Sequence, residues 1–240
     1  MNILEVKNVT KTFGGLTAVS DLSFQIEKGE IFGIAGPNGS GKSTLFNVIS
    51  GFDPGTGDIV FDGRNINRLA PHQICRKGIA RTFQVPHVFS TFTVQKNIRV
   101  GAHFGAQREV DEDKNIKEVV SFVGLEGKEN IITANLNLFD KKRTMIASAL
   151  ATRPKLLMVD EPMGGLSPSE IRDSVTLLKR INNDLGVTVI IIEHMMKVLA
   201  ELSGRLMIID NGSKICIGDP EEVSRDERVI KTYLGGGYHA

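Results

Sequence analysis

Cysteine is scarce in this chain, and its two positions, Cys75 and Cys216, are far apart and fit no metal-ligand spacing. That excludes a disulfide framework or a cysteine-based zinc site and points to free thiols in a reducing compartment. An excess of either charge is also missing. With 29 basic and 28 acidic residues, and no long block of one sign, nothing recommends nucleic acid or anionic lipid as a partner. Long apolar runs are absent as well. "VTVIII" (187–192) is about six residues long, whereas a membrane-spanning helix needs about 20. The opening "MNILEVKNVTKTF" has no apolar signal-peptide core. The expectation is a soluble cytoplasmic chain that leaves any spanning of a membrane to another subunit. Neither low-complexity sequence nor an internal repeat is visible. What remains is 240 residues, 41% of them hydrophobic, enough for one sizeable core or a core with a smaller lobe.

Short apolar runs alternate with helical patterns. "IFGIAG" (31–36) precedes "KSTLFNVIS" (42–50), and "KLLMVD" (155–160) precedes "SEIRDSVTLLKRINND" (169–184). "VTVIII" leads into "HMMKVLAEL" (194–202) and then "RLMIID" (205–210). Near-continuous apolar strands separated by helices predict a parallel sheet covered on both faces. "NILEVKNVT" and "AVSDLSFQIEKGE" alternate more strongly, as half-exposed antiparallel strands do. Residues 87–152 contain no convincing strand. "TVQKNIRVGAH", "EVDEDKNIKEVVSFVG" and Thr144 to Thr152 read as helices. The expected fold is α/β: residues 1–86 and 153–240 form a core with an N-terminal antiparallel subdomain, and 87–152 form an inserted helical subdomain.

The strongest chemical signal is "GPNGSGKST": Gly36, Pro37, Asn38, Gly39, Ser40, Gly41, Lys42, Ser43 and Thr44. It follows an apolar strand and opens a helix, as the P-loop pattern G-x-x-x-x-G-K-[ST] requires. Its glycines let backbone N–H groups turn inward around phosphate, and the helix N-terminus adds its dipole. Lys42 is expected to reach the β- and γ-phosphates, and the Ser43 hydroxyl to ligate Mg²⁺. In "LLMVDEP" an apolar strand delivers Asp160 and Glu161 at its C-terminal end, where open α/β sheets bind ligands. Asp160 would hold the water shell of magnesium and Glu161 would polarise an attacking water. Gln84, His194 and Phe13 are unremarkable singly: a loop residue, a strand-end histidine and an apolar residue that would by default be core. Their order around the two motifs gives them weight.

The order Phe13, "GPNGSGKST", Gln84, helical insert, "LLMVDEP", "GGLSP", His194 resembles the ATP-binding subunit of an ABC transporter over essentially the whole chain. "RTFQ" followed by "FTVQKNI", "ALATRPKLLMVDEP" and the ending "VIKTYLG" look like the branched-chain amino acid import branch. The resemblance implies ATP and magnesium as cofactors. It has Phe13 stack on adenine, Gln84 sense magnesium and the membrane partner, His194 hold the γ-phosphate, and Gly164, Gly165, Leu166 and Ser167 cross a dimer interface. It implies a peripheral protein on the cytoplasmic face. Expected partners are transmembrane permease subunits docked near Pro86 to Val100, a second ATP-binding subunit and, for an importer, an extracytoplasmic solute-binding protein. A lipid or lipopolysaccharide exporter and a weakly hydrolysing regulatory subunit are the competing functions.

Such subunits pair head to tail, closing ATP between one P-loop and a Leu-Ser-Gly-Gly-Gln-like signature turn of the other chain. Counting back from "VDEP" places that turn at Leu136, Asn137, Leu138, Phe139 and Asp140, without a glycine. "LSGR" at 202–205 is rejected, since it follows the His194 helix, with Gly204 expected to terminate it. Phe139 would put a ring where backbone should approach phosphate closely. Asp140 is expected either to cap a helix or to stand about 7 Å from phosphate charge, costing about 2 kcal/mol at an effective dielectric near 20. Lys141, Lys142 and Arg143 would offset part of that. The turn is expected to close poorly on ATP, which favours pairing with a different chain.

Overall fold

The computed structural model describes residues 1–105 and 111–234. In chain order the elements are β1 (Asn2–Phe13), β2 (Leu16–Glu27), β3 (Ile31–Ala35), α1 (Lys42–Ile49), β4 (Thr56–Phe61), β5 (Arg64–Asn65), α2 (Pro71–Lys77) and β6 (Ile79–Arg81). There follow α3 (Val94–Phe104), α4 (Glu112–Phe122), α5 (Leu138–Ala151), β7 (Leu156–Asp160) and α6 (Pro168–Leu185). The chain ends with β8 (Thr188–Ile192), α7 (Met196–Leu202), β9 (Arg205–Asp210), β10 (Ser213–Gly218), α8 (Pro220–Arg225) and α9 (Glu227–Leu234). Two compact units divide it: Met1–Pro71 with Thr188–Ala240, and His72–Val187.

The first unit holds two sheets. In one, β1 pairs antiparallel with β2 and β4, and β4 with β5. Alternation along β1 and β2 puts Leu4, Val6, Val9, Leu22, Phe24 and Ile26 inside, as period-2 patterning requires. In the other, β3 lies between β8 and β9, parallel to both, and β10 closes on β9 antiparallel. Every residue of β3 and β8 is buried, the signature of parallel strands with both faces covered. The Phe24 ring stacks on Phe32 at 5.7 Å between centroids, joining the sheets into one core.

In the second unit β6 runs parallel to β7, with Arg81 opposite Met158. The expected helices of the 87–152 stretch are present as α3, α4 and α5. An Ala-type Cβ on Gly101 would lie 2.0 Å from the Ser148 carbonyl oxygen, so only glycine lets α3 approach α5 this closely. Glu109 and Val110, with which the second helical run was expected to begin, and Gly235 of the ending, lie outside the described residues.

Two expectations need correction. The third helix does not begin at Thr144; α5 starts six residues earlier, at Leu138, with Asn137 as its cap. Gly204 does not end α7 in a left-handed conformation. The helix stops at Leu202, Ser203 is already extended (φ −94°, ψ 135°), and Gly204 is absent from the positive-φ glycines.

Candidate functional site

The P-loop leaves β3 and enters α1 through backbone that only glycine adopts easily. Gly36 has φ 155° and Gly41 φ 101°, and added Cβ atoms would lie 2.0 Å from the Ile209 carbonyl and 2.2 Å from that of Ala18. Lys42, 5% exposed, donates to the Gly36 and Pro37 carbonyls at 2.9 and 2.8 Å and to Ser40 Oγ at 3.4 Å. The loop's own acceptors thus hold a desolvated ammonium over the turn as a fixed positive charge. Asn38, Gly39 and Ser43 are exposed and Thr44 half-buried, so Ser43 Oγ at the start of α1 faces solvent.

His194 belongs to the same region. Ile34 pairs with Ile192, and the Glu193 amide continues the pairing onto the Ile34 carbonyl at 3.3 Å. The P-loop and the His194 segment therefore leave the same end of neighbouring strands. Phe13, at the end of β1, is 47% exposed instead of core, with Lys11 Nζ 4.8 Å from its ring centroid. An exposed aromatic face is what stacking on a base requires.

In the second unit β7 delivers the two acids as expected. Asp160 is buried and bonded through Oδ2 to Arg81 Nη2 at 3.1 Å, both side chains 7% exposed. Burial pulls the Arg81 pKa down from its usual value while Asp160 pushes back up. Glu161 has φ 44°, a left-handed conformation that costs a non-glycine residue of order 1–3 kcal/mol and clusters at functional positions. Gln84 Nε2 donates to Glu161 Oε2, so the loop glutamine and the candidate base are in direct contact. Gly164, Gly165 and Ser167 are exposed and Leu166 half-buried. The Ser167 hydroxyl is engaged in a capping box with Glu170 that opens α6.

The glycine-free turn departs from expectation. Asn137, not Asp140, caps α5, accepting from the Asp140 amide at 2.8 Å. Asp140 sits in the first turn, 4% exposed, its carboxylate bonded to Lys128 Nζ and, at 3.4 Å, to Arg143. Its charge is spent within its own lobe, so the expected repulsion of phosphate falls away. Of the three cations expected to offset it, Arg143 does so; Lys142 instead reaches the Glu161 and Pro162 carbonyls. The ring of Phe139 is half-buried under the Arg143 guanidinium, 4.7 Å away. Leu138 abuts Gly165, where an added Cβ would lie 2.9 Å from Leu138 Cδ2.

Arg81 and Lys128 are the residues sequence reasoning missed, and Lys142 was expected only as a counter-charge to Asp140. Arg81 carried one signal: a cation at the end of a short apolar strand, next to a strand ending in acids. Lys128 carried none, since its partner lies twelve residues away across an irregular segment.

The ABC transporter family model matches residues 19–164, and the model for the branched-chain amino acid ATP-binding cassette transporter matches residues 213–239. The high-affinity branched-chain amino acid transport ATP-binding protein BraF of Pseudomonas aeruginosa is 34% identical over 97% of this chain and 98% of its own. The methionine import ATP-binding protein MetN of Clostridioides difficile is also 34% identical, over 97% of this chain and 74% of its own. The ADP conformation of an ABC-transporter cassette superposes with a TM-score of 0.89 at 30% identity, covering 98% of this chain and 99% of that one. The chain belongs to the ATP-binding cassette family of ABC transporter ATP-binding proteins.

Proposed function

We propose that this chain is the ATP-hydrolysing subunit of an importer for branched-chain amino acids. It binds nucleotide and couples hydrolysis to transport. The observation that carries the activity is the Lys42 cradle on the β3–α1 turn. BraF and MetN share the same identity with this chain, so identity alone does not choose the cargo. The match of residues 213–239 to the branched-chain model favours that class.

In this reading Gly36 to Thr44 hold the phosphates, Phe13 stacks on adenine and His194 contacts the γ-phosphate. Ser43, Gln84 and Asp160 supply hard oxygen donors of the kind magnesium accepts alongside phosphate oxygens and water. Magnesium would neutralise phosphate charge. Glu161, positioned by Gln84, would orient and deprotonate the attacking water.

No helix among the described residues is long and apolar enough to cross a membrane. In this reading permease subunits do the spanning and this chain sits at their cytoplasmic face. The docking surface we assign is Pro86 to Val100. There Phe89 and Phe92 are exposed with centroids 5.3 Å apart, while Val94 and Ile98 pack inward. Asn97 ties the Phe89 backbone at both N–H and carbonyl, giving that surface a fixed shape. The exposed 164–167 turn and the signature turn would face a second ATP-binding subunit, a different chain with an intact signature. An extracytoplasmic solute-binding protein would complete the importer, and the helical lobe at 87–152 would move as a subdomain. The test is co-purification with the membrane subunits and uptake of labelled leucine. Transport of methionine alone, or of lipid, would refute the cargo.

A further inference from the structure

Lys142 lies one turn into α5, the helix that begins at the signature turn, and is 4% exposed. Its ammonium donates to the Pro162 carbonyl at 2.8 Å and the Glu161 carbonyl at 3.3 Å, the two acceptors immediately beyond β7. Glu161 itself holds the left-handed φ of 44°. Such a conformation persists only where the surroundings over-determine it. Here the constraints are Lys142 on the backbone, Gln84 on the side chain, and the Gly164 amide returning to the Glu161 carbonyl at 3.4 Å. Burying an ammonium costs far more than burying an apolar side chain of similar length, so filling space does not account for it. Its charge is placed where it grips backbone.

We propose that Lys142 is a positioning residue. It ties the helix of the signature turn to the backbone of the candidate base Glu161, so that movement of that turn and alignment of Glu161 are one event. The tie also reaches Gly164 and Gly165, since Glu161 and Pro162 open the turn that carries them. This rests on the reading of Glu161 as the base that activates water. A methionine at 142 keeps the stem and loses the grip, whereas an arginine keeps charge and donors.

The experiment compares the full chain with Lys142→Met, Lys142→Arg and Glu161→Gln. It measures ATP affinity by calorimetry, single-turnover hydrolysis of radiolabelled ATP, and amide exchange of residues 163–166. Lys142→Met is expected to bind ATP within about twofold of the parent, hydrolyse it about tenfold or more slowly, and exchange faster at 163–166, because small misplacement of a reacting group is costly. Lys142→Arg should recover most of the rate. Lys142→Met hydrolysing within about twofold of the parent, while Glu161→Gln is inactive, would overturn the tie and leave the base standing. Affinity and rate falling together in Lys142→Met, without rescue by arginine, would mark a merely structural residue and overturn it equally. Parental hydrolysis by Glu161→Gln would overturn both readings.

Discussion

Two turns in this molecule stand at helix N-termini and face phosphate in the proposed function, and they are built by opposite means. The P-loop spends glycine. Gly36, Gly39 and Gly41 all have positive φ, so backbone amides turn inward and Lys42 folds over them. The turn at 136–140 has no glycine. Asn137 keeps an ordinary extended backbone (φ −68°, ψ 172°), and its side chain caps the helix. A curled backbone grips an anion from several sides, whereas a capped helix end offers one face. The difference teaches that the first turn is built to bind and the second to meet a nucleotide already bound. In the proposed function, the bulk of Leu138 and Phe139, not the charge of Asp140, would impede the second.

The largest expected effect separates grip from chemistry. Glu161→Gln should leave both turns intact, preserve ATP affinity and slow single-turnover hydrolysis by about 10³-fold, in the range lost with a general base. Equal rates for mutant and parent would move the base elsewhere. Next, Lys42→Ala breaks the first turn alone. It removes the buried charge that would meet phosphate in the proposed function, so ATP affinity should fall about 100-fold by calorimetry. An unchanged affinity would dissolve the contrast between the turns.

A smaller effect compares the two buried acids. Asp160 is held by an arginine whose side chain is only 7% exposed, while Asp140 is held by Lys128, which is 38% exposed. Arg81→Gln should therefore destabilise the protein by about 3 kcal/mol, the low end for breaking a buried pair, and lower Tm by roughly 5–10 °C. Asp140→Gln should cost only about 1 kcal/mol. A reversed order in thermal unfolding would show that Asp140 is the more tightly held acid.

How much of this was legible in the sequence follows the distance over which each feature is written. The P-loop is nine consecutive residues, so strand, turn and helix could all be read before any contact was known. β7 and its two acids were equally plain, because four apolar residues end in Asp160 and Glu161. The antiparallel start of the chain followed from alternation. The first turn of α5 is hard to read because Leu136 to Asp140 stands where the resemblance places a turn, although α5 already begins at Leu138. The pattern of Asn137 with an acid three residues later, an N-terminal helix signal, was present and passed over. The neutralisation of Asp140 by Lys128, the Arg81–Asp160 pair and the reach of Lys142 to the Glu161 carbonyl join residues 12 to 79 positions apart. No local rule encodes such pairs; packing does. The positive φ of Glu161 has the same origin, since glutamate carries no preference for it.

In the proposed function the P-loop of this chain is competent, the 136–140 turn closes slowly for steric reasons, and an intact partner supplies the better turn. The most direct test is the steady-state ATPase of the purified chain alone, beside Phe139→Gly and the triple variant Asn137→Ser, Phe139→Gly, Asp140→Gln. The parent should turn over weakly. Phe139→Gly alone should raise the rate about tenfold, since it removes the ring that keeps backbone from phosphate. The triple variant should add nothing further, because the Asp140 charge is already satisfied. Brisk hydrolysis by the parent with no gain from Phe139→Gly would contradict the account, as would a gain that appears only when Asp140 is replaced.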